Sequence, residues 1–337
     1  LRIGSLQIES RVCLAPLSGI TDFPFRRLVR SFGTKLVYSE MIASGELVRN
    51  DADSRQRMHP DGGGVHAVQL AGRETEAMRR AAEVAVGEGA DLIDINMGCP
   101  AKKVVGGLSG SALMRDLDHA LRLIEATVEG AGSVPVTLKM RLGWDRTSLN
   151  AADLAVRAEG AGVSLVTVHG RTRDQFYTGK ADWQAIGDVS RAVGIPVVAN
   201  GDLVRAEDRC AMLRASGASG VMVGRASCGR PWFPALVAGE LDASRTQESF
   251  ADLVLDHYDQ MLDFYGPHTG VRHARKHFGW YLDRYESACG ATLSLDRSEL
   301  MRAIDPALVR PRLRSLFGAA TLCDVDLDLQ ATMQRAA

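Results

Sequence analysis

Short runs of β-branched and aliphatic residues recur at 12–15, 36–39, 65–70, 92–96, 136–140, 165–169, 197–200 and 221–224. Several are apolar almost without interruption, as expected of parallel strands covered on both faces. The stretches between them carry helical periodicity, for example 74–88 and 149–159. Glu88-Gly89-Ala90, Glu159-Gly160-Ala161-Gly162 and Ser216-Gly217-Ala218 each stand between a helix and the next run, where glycine suits a helix C-cap. Eight strand–helix units predict a closed (β/α)8 TIM barrel of the α/β class. A doubly wound open sheet would alternate in the same way, but its G-x-G-x-x-G after a first strand is missing.

The pattern changes after Pro231-Trp232, and 244–318 shows helical periodicity with no strand-like run. The predicted organisation is a barrel over 1–240, a small all-helical domain over 241–320 and a flexible tail over 321–337. Within the helical part, Arg275 and Lys276 lie in the basic segment 271–281, with Phe278, Trp280 and Tyr281 just downstream. That combination suits either phosphate contacts and base stacking, or a solvated helix face over core aromatics.

Composition narrows the classes further. The chain has 337 residues, 46% of them hydrophobic and 24% charged, which suits a globular α/β enzyme and excludes a disordered or fibrous chain. A formal net charge of −1 gives no bulk signal for a polyanion partner, so a nucleic-acid surface must come from local clustering. The six cysteines are scattered without a C-x-x-C pair, which points to a reducing cytoplasm and to no metal site. No charged n-region with an apolar h-region opens the sequence and no run approaches a membrane span, so neither export nor membrane anchoring is expected. No obligate protein partner is inferred.

Barrel enzymes collect their chemistry where strands end, and polar residues cluster at those positions here. The relevant strings are Pro16-Leu17-Ser18, Gln69, Asn96-Met97-Gly98-Cys99-Pro100, Lys139-Met140-Arg141, His169-Gly170-Arg171, Asn200-Gly201-Asp202 and Gly224-Arg225. Gly201 and Gly224 follow the seventh and eighth runs, where barrels usually bind phosphate through backbone N–H groups, and Arg225 could add charge. A planar cofactor extending from such a phosphate would meet Gln69, Lys139 and His169, an edge that matches a flavin. Lys139 fits equally the Schiff-base lysine of an aldolase-type barrel. Cys99 sits in a glycine-rich loop, and an ordinary thiol is mainly protonated at neutral pH, so it could deliver a proton to a carbanion; lone cysteines are also common as inert core residues.

The strings Ala15-Pro16-Leu17-Ser18-Gly19-Ile20-Thr21-Asp22, Ile95-Asn96-Met97-Gly98-Cys99-Pro100-Ala101-Lys102-Lys103-Val104, Leu138-Lys139-Met140-Arg141, Val168-His169-Gly170-Arg171-Thr172-Arg173 and Asn200-Gly201-Asp202 fall in register along the chain. With them the sequence resembles the bacterial tRNA-dihydrouridine synthases, most closely the B-type branch. The resemblance implies FMN held by Pro16, Leu17, Ser18, Gln69, Lys139, His169, Asn200, Gly201, Asp202, Gly224 and Arg225, with NADPH as reductant. It implies Cys99 as the acid, and tRNA contacts from Asn96, Lys102, Arg141 and Arg171, with Arg275 and Lys276 serving the helical domain. Leu17 departs from the methionine that many relatives carry, at a contact expected to be made by the main chain. The implied reaction is reduction of the uridine C5=C6 bond, hydride to C6 and proton to C5. Two other readings remain: a barrel acting on a free pyrimidine, as in dihydroorotate dehydrogenases, and an RNA-binding protein without catalysis.

Overall fold

The computed structural model describes residues 1–336. Eight parallel strands close into a barrel in sequence order: β1 (Val12–Leu14), β2 (Leu36–Ala43), β3 (Ala67–Ala71), β4 (Leu92–Met97), β5 (Val136–Arg141), β6 (Leu165–His169), β7 (Val197–Asn200) and β8 (Gly220–Val223). The seam closes through Val221 paired with Val12 and Val223 with Leu14. Most strand residues are buried, because barrel side chains cover one face and helices the other. The helices Thr75–Gly87 and Ala151–Gly160 occupy the two stretches whose periodicity predicted them. Gly217 is itself a left-handed C-cap, whereas Gly89 and Gly162 sit one residue beyond the caps Glu88 and Ala161.

Residues before β1 form a hairpin that the periodicity did not predict, Arg2–Ile3 antiparallel to Leu6–Gln7. Ile3 and Ile8 pack in one cluster with Leu36, Ala67, Leu92 and Leu165, the first residues of four strands. The hairpin therefore covers the N-terminal end of the barrel and leaves the C-terminal end for chemistry.

The chain divides into two compact units, Leu1–Arg26 with Thr34–Gly224, and Arg27–Gly33 with the chain from Arg225 on. The division thus runs ahead of the 240/241 boundary read from periodicity. The reason is Trp232, fully buried in the helical unit with edge-on contacts to Phe32 and Phe250. Long helices Phe250–Tyr265 and Pro267–Cys289 pack around Phe250, Tyr281 and Phe317.

The segment from 321, expected to be a flexible tail, carries specific hydrogen bonds and a helix. Thr321 bridges Ser249, the Leu322 and Cys323 N–H groups donate to the carbonyls of Glu248 and Thr246, and a helix follows at Leu327–Ala336. Asp326 is wholly buried and accepts from Arg230 Nε and Nη2, each at 2.7 Å, and from Trp232 Nε1 at 2.6 Å. A buried guanidinium needs a carboxylate, and here the segment expected to fray supplies it.

Candidate active site

Strand register brings the predicted polar residues into a ring at the C-terminal end of the barrel. Gln69 pairs with Asp94, Asn96 with Lys139, Arg141 with His169, and His169 with Asn200. Side chains then join neighbouring strands: Gln69 Nε2 donates to Asp94 Oδ2 at 2.7 Å, Thr137 Oγ1 to Asp94 Oδ1 at 2.7 Å, and Asn96 Nδ2 to Gln69 Oε1 at 2.9 Å.

Cys99 lies two residues beyond β4, half-buried, on a turn held from both sides. Its N–H donates to Asn96 Oδ1 at 3.0 Å, while its carbonyl accepts the Ser111 N–H at 3.1 Å and the Ser111 hydroxyl at 2.9 Å. Gly110, at φ +59°, makes this closeness possible. A Cβ there would come within 2.8 Å of the Cys99 carbonyl and 2.9 Å of Val104 Cγ1. The turn around the cysteine is thus braced.

Lys139 Nζ donates to Asn200 Oδ1 at 3.3 Å, and Asn200 Nδ2 donates to the Met222 carbonyl at 2.9 Å. Burial, then the Arg141 charge, brings Lys139 down to about 8, with Asp94 opposing. Burial raises Asp94 to about 6, against the hydrogen bonds from Thr137 and Gln69 and the charge of Lys139. The result is a cation in the barrel mouth whose charge is sensitive to its surroundings near neutral pH.

The two buried arginines do more bracing than the strings suggested. Arg141 donates through Nε to the Gly98 carbonyl and through Nη1 to the Thr172 and Phe176 carbonyls, each at 2.8 Å, tying the loop after β4 to the one after β6. Arg171 is committed throughout: Nη2 to Asp202 Oδ2 and to the Gly179 carbonyl at 2.7 Å, Nε to the Thr178 carbonyl at 3.1 Å, Nη1 to His169 Nε2 at 3.3 Å. Because a guanidinium can only donate, His169 Nε2 is the acceptor of this bond. Gly201 stands at φ +122° with its would-be Cβ 3.0 Å from the His169 ring, so the backbone passes close beneath that imidazole.

The remaining predicted residues are more scattered. Pro16, Leu17 and Ser18 follow β1, but the Leu17 N–H is spent on Thr21 Oγ1 at 2.9 Å and its carbonyl accepts from Ile20 and Thr21. The main-chain contact expected at Leu17 therefore goes to the turn itself. Lys102 is exposed at the start of the short helix Lys102–Gly106. Gly224 follows β8, with no backbone or side chain closer than 4.0 Å to its would-be Cβ, and Arg225 opens the next turn. In the helical unit Arg275 Nη2 donates to the Ala303 carbonyl at 3.1 Å, and Phe278 and Tyr281 are buried. Those two rings are core residues and cannot stack on bases.

Three groups with a stake in the site escaped the sequence: Asp94, Thr137 and Ser111. Asp94 had a signal, a carboxylate in the middle of the apolar run Leu92-Ile93-Asp94-Ile95. Among the described residues, no group of three or more His, Cys, Asp or Glu side chains could hold a metal ion, and no helix is long and apolar enough to cross a membrane.

Residues 13–299 match the family model described as dihydrouridine synthase. A protein of Rhizobium leguminosarum bv. phaseoli named probable tRNA-dihydrouridine synthase is 53% identical over 317 residues, spanning 94% of this chain and 98% of its own. One from Xanthomonas axonopodis pv. citri, named tRNA-dihydrouridine synthase B, is 42% identical over 305 residues, 89% of this chain and 92% of its own. Among solved structures, morphinone reductase in complex with tetrahydroNAD superposes with a TM-score of 0.51 at 15% identity, covering 72% of this chain and 90% of that one, a likeness of fold alone. With a family model over most of its length and relatives at this identity, the chain belongs to the dihydrouridine synthases, a family of oxidoreductases.

Proposed function

We propose that the chain reduces the C5=C6 bond of uridines in tRNA to give 5,6-dihydrouridine, using bound FMN reloaded by NADPH in the cytoplasm. The observation that carries this reading is the placement of Cys99: a thiol on a braced turn at the barrel mouth, within electrostatic range of both Lys139 and Arg141.

The residues present fit a flavin by their donor chemistry. Lys139 is a buried cation suited to an anionic heterocycle edge, Gln69 offers a carboxamide in the same ring, and His169 and Asn200 continue it. Gly201, Asp202 and Gly224 supply backbone at the ends of β7 and β8, where barrels take phosphate. A bound flavin would supply hydride to uracil C6. The chain's own residues would do the rest: Cys99 Sγ–H delivers the proton to C5, balancing the addition across the double bond. Asn96 fixes the thiol's main chain, and Lys139 holds positive charge where negative charge must be carried. Arg141 Nε and Nη1 are spent on carbonyls, leaving Nη2 as its donor toward substrate, and exposed Lys102 is placed to meet phosphate. Arg171 is reassigned from substrate contact to bracing Asp202. Arg275 and Lys276 would add tRNA phosphate contacts in the helical unit.

The decisive experiment maps dihydrouridine across the tRNA pool of the source organism with the gene deleted and restored. Loss at defined positions, regained on restoration, is expected. An unchanged tRNA pool, or purified protein that reduces a free pyrimidine and leaves tRNA untouched, overturns the reading.

A further inference from the structure

Three segments at the C-terminal end of the barrel converge on one indole. Trp144 lies in the loop after β5, Arg173 in the loop after β6, and Arg115 ends the short helical turn Gly110–Arg115 that follows Cys99. The guanidinium carbons of Arg115 and Arg173 stand 4.9 and 4.6 Å from the centroid of the Trp144 ring, and that of Arg173 also lies 4.9 Å from the Phe176 centroid. Main-chain carbonyls fix this geometry. The Arg173 and Asp174 N–H groups donate to the Gly143 and Trp144 carbonyls at 3.0 and 3.1 Å, and Asn150 Nδ2 donates to the Met114 carbonyl at 2.8 Å. An indole face attracts guanidinium ions, so one ring holds both cations.

What the cluster lacks is a counter-charge. Among the described residues neither Arg115 nor Arg173 is ion-paired, whereas Arg55, Arg79, Arg157 and Arg191 on the barrel's helices each meet a carboxylate. The acids of the same loops are spent locally: Asp145 Oδ1 accepts from Thr147 and Ser148, and Asp174 Oδ1 from the Thr172 hydroxyl. Arg173 is also near enough to buried Arg141 for the two positive charges to oppose each other. A guanidinium stacked by its face keeps its N–H edge for an acceptor, and an anion relieves the uncompensated charge.

We propose that Arg115 and Arg173, held on Trp144, form a phosphate-binding rim on the barrel that grips the tRNA backbone beside the nucleotide drawn into the mouth. The inference rests on the reading of the chain as a tRNA reductase, and it adds a surface on the catalytic unit to the contacts proposed for Lys102 and the helical unit. Trp144 is engaged in supporting cations, so the rim reads charge and not base identity. A nucleotide pulled from its stack brings its flanking phosphates to the edge of the pocket, where fixed cations offset the cost of holding the strand open.

The test titrates the FMN-loaded protein with tRNA from the deletion strain across a range of salt concentrations. Arg115→Gln and Arg173→Gln should each lower the slope of log affinity against log salt by about 0.7–0.9, which weakens binding about fivefold at about 150 mM salt. Arg191→Gln, in the last turn of the helix Trp183–Ala192, should change neither quantity. Trp144→Leu keeps both charges but removes their support, and it should weaken binding at least twofold. In steady-state reduction the two glutamine variants should raise KM for tRNA about fivefold and leave KM for NADPH unmoved. Unchanged slopes in both overturn the proposal, as does wild-type affinity in Trp144→Leu. A raised KM for NADPH with tRNA affinity intact also overturns it and gives the rim to the phosphate of the reductant. Should Arg173→Gln or Trp144→Leu not fold, Arg115→Gln decides, because Arg115 is exposed. Wild-type protein that binds tRNA but makes no dihydrouridine defeats the functional reading while the slopes still decide the rim.

Discussion

Arg171 Nη2 donates to Asp202 Oδ2 at 2.7 Å, and through this pair the loop after β6 holds the loop after β7. The guanidinium is 2% exposed and the carboxylate 30%, and the same Asp202 oxygen accepts the Ala181 N–H at 2.7 Å. Asp202 sits at φ +55°, an unfavourable conformation for a residue with a side chain, which these bonds help to hold. Arg171→Met should cost about 2–4 kcal/mol, because it leaves a largely buried carboxylate without its cation. It should also weaken FMN binding about tenfold, since the Gly201–Asp202 backbone is the proposed phosphate contact. Denaturant melts and flavin titration measure the two effects. A stable variant with full flavin affinity would show that the pair does not organise this loop.

Cys99→Ala separates the steps assigned to the chain. The thiol carries none of the hydrogen bonds that hold its turn, which are all made by the main chain of residue 99. Fold, FMN binding, reduction of the cofactor by NADPH and tRNA binding should therefore persist. Product formation in a single turnover should fall by about 10²–10⁴, the usual worth of a positioned general acid. Normal single-turnover rates would remove Cys99 from the mechanism.

The barrel was legible because its signal is local: each strand is a short apolar run, and each site residue follows one. What escaped depended on partners distant in sequence. Arg230 and Asp326 are separated by 96 positions, so neither the buried ion pair nor the anchored C-terminal segment could be read from periodicity. Arg141 and Arg171 invited a ligand-contact reading because strand-end cations often meet anions. Their backbone carbonyl acceptors, at Gly98, Thr172, Phe176, Thr178 and Gly179, exist only once the loops have folded. Residues 278 and 281 show the opposite failure, aromatics that resembled a stacking surface and proved to be core.

Lys139 trades stability for charge. Its pKa of about 8 in the fold lies below the ordinary 10.5, so the unfolded chain binds more protons between these values. Stability attributable to this group therefore rises as pH climbs from about 8 to 10.5, and its full cost is felt below 8. Lys139→Met sheds that cost but also takes away the cation that helps keep buried Asp94 ionised, so its clear effect should be weaker FMN binding. The positive charge itself is present below about 8 and lost above it, so wild-type turnover should decline on the alkaline side and the variant should lack that limb. A variant that keeps the alkaline limb and full flavin affinity contradicts the assignment.

Arg275 and Lys276 differ in what their removal reports. Arg275 Nη2 is tied to the Ala303 carbonyl, so Arg275→Ala should loosen the packing of Pro267–Cys289 against the turn at 303 as well as any phosphate contact. Lys276→Ala isolates the charge. Deleting one cation that neutralises a tRNA phosphate should reduce the slope of log affinity against log salt by about 0.7–0.9. A slope unchanged in both single variants would return this segment to a purely structural role.

The C-terminal segment should behave as part of the helical unit's core. Asp326 accepts three buried hydrogen bonds from Arg230 and Trp232, Asp328 accepts a further one from Arg230 Nη2 at 2.7 Å, and the positive charge of Arg284 acts on the same two carboxylates. Removing Asp326 leaves the buried Arg230 cation without its main counter-charge and the Trp232 indole N–H without an acceptor. Asp326→Ala should therefore cost about 3–5 kcal/mol, read as a lower urea midpoint for the helical unit. Ending the chain after residue 320 removes the carboxylates together with buried Leu322, Val325 and Leu329, so its effect should be at least as large. Barrel ligand binding offers an internal control: the Asp326→Ala protein should retain FMN at low denaturant while its helical unit melts early. A midpoint equal to wild type in either variant would mean that Arg230 finds another partner and that the segment is dispensable to the fold.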